Sequence, residues 1–202
     1  MFKSGFEKAL SKFTSEANWL CAGFSSFAQD TDVVRGRFAA EFVVIRLHDA
    51  WARFCREVVV VSAYGRIETL GGTRLGTCHP AIKSRGDVIP VLISLYPNRR
   101  AEPYWFSAAD CSDAGRRLGI QNAATVTAAL GAANSPANKL REVRNFYAHR
   151  KKETAVKAVT AGGFVGRQKP QVFHLNSFVA GGKTILESWT DDLIAVATAA
   201  VQ

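Results

Sequence analysis

From Val44 to Val61, apolar residues return at steps of three and four, as Val44, Leu47, Trp51, Phe54, Val58 and Val61. Residues so spaced share one face only in an α-helix, so this register obliges the chain to build around a long amphipathic helix. Val58–Val61 taken alone would suit a strand, but their continuity with the preceding register decides for helix. Upstream, Phe6, Leu10, Phe13, Ala17, Leu20, Phe24 and Phe27 repeat the pattern, and Asp30, Thr31 and Asp32 offer caps for the second helix.

Between Gly65 and Ser107 the period collapses into glycines and prolines, among them Gly71, Gly72, Pro80, Pro90, Pro97 and Pro103. This reads as an irregular insertion, with "DVIPVLISLY" as one short strand, and such segments tend to carry partner or specificity contacts. Regularity resumes in "SAADCSDAGRRLGI", then in "NAATVTAALG" with Asn122 as cap, then in "SPANKLREVRNFYAHR". There Ser135 can accept an orphan amide and Pro136 sits where no amide proton is needed. Glycine pairs at 162–163 and 181–182 bracket a loop or short hairpin, and Ile185, Trp189, Leu193 and Val196 mark a closing helix. The fold class expected is all-α, one domain over 1–202, with a long insertion at about 65–107 and a C-terminal loop plus closing helix over 155–202.

A composition 48% hydrophobic supports a folded core. No apolar run approaches the roughly 20 residues of a membrane span, and the N-terminus has no signal-peptide core, so a cytoplasmic protein without membrane contact is expected. Cys21, Cys55, Cys78 and Cys111 lie far apart, which suggests buried thiols rather than a disulfide framework or zinc site.

The net charge of +9 is concentrated. Nine Lys or Arg against two acids between Lys139 and Lys169 give that segment +7. A basic stretch of this kind is the footprint of a polyanionic partner, because each phosphate neutralised releases condensed counterions; a solvated face is the plain alternative. On a helical wheel over residues 136–152, Leu140, Val143 and Tyr147 face the core. Arg141, Arg144, Asn145, Ala148, His149 and Lys152 face away. Histidine titrates near neutral pH and can move a ribose 2′-hydroxyl proton, while a guanidinium matches a phosphate gathering charge. The combination suits metal-independent attack by the 2′-oxygen to give a 2′,3′-cyclic phosphate. DNA would then be a ligand at most. Spacing alone proves little, since Arg74 and His79 repeat the interval in a glycine-rich loop. Context distinguishes Arg144 and His149.

"SPANKLREVRNFYAHR", preceded by helical pairs and followed by basic sequence, resembles the signature helix of the HEPN family, whose R-x4-6-H motif often has a polar residue after the arginine. The resemblance implies an antiparallel helical bundle, a homodimer with a composite RNA-cleaving site, and toxin or phage-defence roles. It implies catalytic roles for Arg144 and His149, with Asn145 orienting or contacting the phosphate, and no cofactor or metal. RNA is the partner expected, with Arg141, Arg150, Lys151, Lys152 and Lys157 as backbone contacts. An inhibitory or sensor partner would restrain such an activity. A non-cleaving RNA-binding or regulatory module and an unrelated helical interaction protein are the other readings. His48-Asp49 reads as a polar helix face, the lack of further ligands arguing against a metal dyad. "GGTRLG" and "GGFVGRQK" read as turns, because neither ends as a phosphate loop does, and His174 as a partly buried histidine.

Overall fold

The computed structural model describes residues 4–28, 33–96, 101–131, 136–164, 175 and 182–202. Within them the chain is helical apart from one antiparallel ribbon. The elements are α1 (Gly5–Ala28), α2 (Val33–Tyr64), β1 (Ile67–Glu68), β2 (Arg74–Leu75), α3 (Val88–Ser94), α4 (Ala108–Leu118), α5 (Ala123–Leu130), α6 (Pro136–His149), α7 (Lys152–Gly162) and α8 (Ile185–Ala200). No helix among the described residues is long and apolar enough to cross a membrane. The expectations for Phe27, for caps at 30–32 and Ser135, for the loop at 165–174 and 176–181, and for His174 fall outside what is described.

Two reciprocal caps set helix starts. Ser4 and Glu7 exchange side-chain and backbone hydrogen bonds of 2.6 and 3.1 Å ahead of α1. Thr184 and Glu187 do the same at 2.6 and 3.2 Å ahead of α8. The apolar registers hold: Phe6, Phe13, Ala17, Leu20 and Phe24 of α1 are buried, as are all six stripe residues of α2. Val58–Val61 are helical and buried on every side, which explains a β-branched run there without a strand.

The insertion departs from expectation. "DVIPVLISLY" is not a strand but a 3-10 turn, Arg85–Asp87, running into α3. Asp87 accepts hydrogen bonds from the Lys83 and Ser84 amides at 2.9 and 2.6 Å, which nucleates the turn. Pro90 falls in the first turn of α3, where its missing N–H costs nothing. The only strand pairing described is Ile67 opposite Leu75 and Glu68 opposite Arg74. Ser107 caps α4, accepting from the Asp110 amide at 3.3 Å. Asn122 makes no side-chain cap on α5; its backbone carbonyl alone takes the Val126 amide. Residues 155–162, expected as loop, belong to α7.

The chain divides into two compact units. One holds Met1–Phe13, Trp51–Ala133 and Ala195–Gln202; the other holds Thr14–Ala50 and Asn134–Ile194. In the first, the rings of Phe13, Trp51 and Phe54 pack at centroid distances of 5.3 to 5.7 Å, and the Leu70 amide bonds the Val201 carbonyl at 2.9 Å. In the second, Arg46 of α2 bonds Glu16 of α1 at 3.3 Å, and Phe164 packs on Trp189 at 6.1 Å. The second unit also holds α6 and α7, joined by a two-residue turn.

Gly65 and Gly163 both take left-handed backbone, at φ 63° and 71°, but a Cβ on Gly65 would strike the Gly76 carbonyl whereas one on Gly163 meets open space. Gly163→Ala is therefore expected to cost about 1 kcal/mol, the left-handed penalty alone. Gly65→Ala should add a steric cost of about 1–3 kcal/mol. Urea unfolding of the two variants checks this; equal midpoints would contradict it.

Candidate functional site

Burial sets the orientation of α6. Leu140 and Val143 are fully buried and Phe146 and Tyr147 nearly so, leaving Arg141, Arg144 and Asn145 half-buried and Ala148 and His149 exposed. Arg144 Nη1 donates to Asn145 Oδ1 at 3.5 Å, a long bond. Its Nε is buried and has no hydrogen-bond partner among the described residues. Arg141 places Nε and Nη2 on Glu142 Oε1 at 3.2 and 2.8 Å.

The helix stops at the motif histidine. Arg150 has φ 50°, in the left-handed region, and its amide donates to the Phe146 carbonyl at 2.7 Å. Lys152 therefore opens α7 instead of continuing the wheel on α6, a correction to its expected placement. The cause is that one left-handed residue redirects the chain. Of the five cations expected to face RNA, Lys151, Lys152, Lys157 and Arg150 are exposed and Arg141 is half-buried; Arg141 pairs with Glu142 and Arg150 with Glu41 of α2.

Within one copy, helix geometry sets Arg144 and His149 apart and not on a common strip. Five residues apart on a helix, they are separated by about 7.5 Å along the axis and about 140° around it. The imidazole that Arg144 does act on is His48 of α2. Read as part of a polar face, His48 is in fact 5% exposed, because it falls between Val44 and Trp51 on the buried stripe. That spacing was the available signal. Burial first, then the Arg144 guanidinium and more weakly Arg141, hold its imidazole below the ordinary range; Asp49 opposes them, its Oδ1 3.7 Å from Nδ1. The ring is thus kept neutral beside a fixed cation.

Elsewhere the candidates resolve into structure. His79 Nδ1 accepts the Ala81 amide at 3.2 Å in a turn. Cys21, Cys55 and Cys111 are buried free thiols, and Cys78, half-buried, donates to the Ala63 carbonyl at 3.1 Å. No three His, Cys, Asp or Glu residues gather to hold a metal ion among the described residues. No protein-family model matches the chain, and neither the curated proteins nor the solved structures compared with it give a match.

The His48 environment has a sign that pH can read. Below about pH 6.5 an unfolded histidine takes up a proton that the folded, depressed group refuses, so acid favours the unfolded chain. The stabilisation is complete above that pH and declines as pH falls toward the lowered folded value. Wild-type protein should lose more unfolding free energy between about pH 7.5 and 5.5 than His48→Leu does. Parallel pH curves for the two in urea titrations would contradict this.

Proposed function

We propose that the chain is a metal-independent endoribonuclease of HEPN type, an antiparallel helical bundle acting on RNA as a homodimer. What carries the reading is α6 itself. One face is anchored in apolar packing; beside it lies a half-buried guanidinium whose Nε–H has no hydrogen-bond partner among the described residues, next to Asn145, which is itself one turn short of exposed His149. A guanidinium left short of partners is a forked donor for phosphate oxygens, and because Nε itself is shut off from solvent, the phosphate would meet the Nη groups of this half-buried side chain.

In the proposed reaction, an imidazole takes the 2′-hydroxyl proton and the 2′-oxygen attacks phosphorus. The 5′-oxygen leaves with a proton returned to it, and Arg144 stabilises the phosphorane charge. Asn145 orients Arg144 or the phosphate. The spread of Arg144 and His149 around one helix supports a composite site, in which a second copy brings its own guanidinium and imidazole to the same junction. Exposed Lys151, Lys152 and Lys157, following directly on His149, suit backbone contacts to the strand. Action in the cytoplasm as a toxin or phage-defence effector, under an inhibitory or sensor partner, belongs to the same reading. The exposed lysines at the start of α7 equally favour a non-cleaving RNA-binding module, which needs no second histidine.

The test is a gel of total RNA with wild type, Arg144→Ala and His149→Ala, with and without EDTA. Wild type should cleave in chelator, leave 2′,3′-cyclic ends and spare DNA, and each variant should lose about 10²–10⁴-fold in rate while remaining folded. Undiminished cutting by either variant would refute the assignment. Intact RNA from wild type, bound with strong salt dependence, would establish the binding module instead. Sedimentation should show a dimer at working concentration.

A further inference from the structure

We infer that Glu41 and Arg150 form a clasp, tying α2 to the α6–α7 turn, whose function is to position His149. Arg150 is then a positioning residue and not an RNA contact. The inference deepens the ribonuclease reading and rests on it for the role of His149.

The first observation is an arginine in left-handed backbone at a helix end where α4 and α7 use glycine; the other non-glycine residue in that region among those described is Arg66, at φ 54°. α4 and α7 close on Gly119 and Gly163 in left-handed backbone, at φ 69° and 71°. α6 closes on Arg150 at φ 50°. A non-glycine residue there costs about 1–2 kcal/mol, so something retains it.

The second observation is what retains it. The guanidinium Nη2 is bonded to Glu41 Oε1, and the Arg150 amide closes the last turn on Phe146 at 2.7 Å. The Glu41 carboxylate is only 15% exposed and also faces Arg37 Nε at 3.7 Å, so it is fixed from two sides. Arg150 itself is half exposed, so the pair contributes by position more than by strength, about 0–1 kcal/mol for a solvated ion pair.

The third observation is the neighbour on the other side of His149. Tyr147 is buried, and its hydroxyl is pushed above the usual range first by burial and then by the Glu41 charge, with Arg150 opposing. The clasp and the buried ring thus belong to one cluster. His149 lies between them, its side chain in solvent, one residue before the clasped Arg150 and two after the buried Tyr147. Release of the clasp would let the turn relax and swing the imidazole away from a transition-state geometry that tolerates little displacement.

The test compares wild type, Glu41→Gln, Arg150→Gln, the double variant and Arg150→Lys on one defined RNA, with melting curves to confirm folding. A clasp predicts that Glu41→Gln and Arg150→Gln each lower kcat about tenfold or more. KM should stay within about twofold, the double variant should be no worse than either single one, and Arg150→Lys should recover part of the rate. An RNA contact predicts the opposite: Arg150→Gln raises KM and flattens the salt dependence, while Glu41→Gln, which frees the arginine, does not. That outcome, or unchanged kcat in both single variants, overturns the inference. The His149 imidazole resonances are recorded on the same samples. If wild type leaves RNA intact, the ribonuclease reading fails separately, and the clasp is judged on those resonances: matching shifts in the two single variants support it, and unmoved resonances overturn it.

Discussion

Burying Leu140, Val143, Phe146 and Tyr147 leaves α6 essentially one rotational setting, because residues spaced by three and four occupy a single stripe and any roll of the helix would bring cations into the core. Everything polar in this half of the chain follows from that setting. Arg141, Arg144 and Asn145 flank the buried stripe and end half-buried, whereas Ala148 and His149 point outward. The apolar packing of α6, more than any hydrogen bond, decides what the motif residues can reach.

Half-burial then makes demands on Arg141 and Arg144. Arg141 meets the demand with Glu142, while the exposed Arg150 pairs with Glu41, both carboxylates being themselves partly shielded. Arg144 has no carboxylate in the ion pairs described; it has the Asn145 amide at long range and a histidine that burial keeps neutral. The motif arginine is therefore less satisfied than its neighbour Arg141, and its charge, after burial, lowers the proton affinity of His48. A protonated ring there would put two cations against each other in a poorly solvated place.

The helical frame was legible because periodicity survives in one dimension: the stripes on α1 and α2, the proline opening α6 and the closing helix all stand where their residues place them. The misreadings share a different cause. "DVIPVLISLY" looks extended until Asp87 is seen folded back on the Lys83 and Ser84 amides, a local bond that composition does not announce. Asn122 has the right chemistry for a cap and does not make one. Lys152 was assigned to the wrong helix because an arginine in left-handed backbone is the last thing residue preference suggests. The motif face was visible in the spacing, but His48 and Glu41 were not, since their relevance arises across helices. Only His48 left a trace, its place on the α2 stripe.

The left-handed arginine also shows why α6 and α7 meet as they do. Had the chain used glycine at 150, the turn would have formed without a side chain, and nothing would couple its geometry to α2. With arginine, the left-handed residue carries a side chain bonded to Glu41, so a change at either end is felt at the turn; without Arg150, Glu41 keeps Arg37 at 3.7 Å among the described ion pairs. Two modest terms joined in one residue define a position more sharply than either alone. The residue they bracket is His149, one step before the strain and two after the buried Tyr147 ring, so the most exposed group of the motif sits on some of its most constrained backbone.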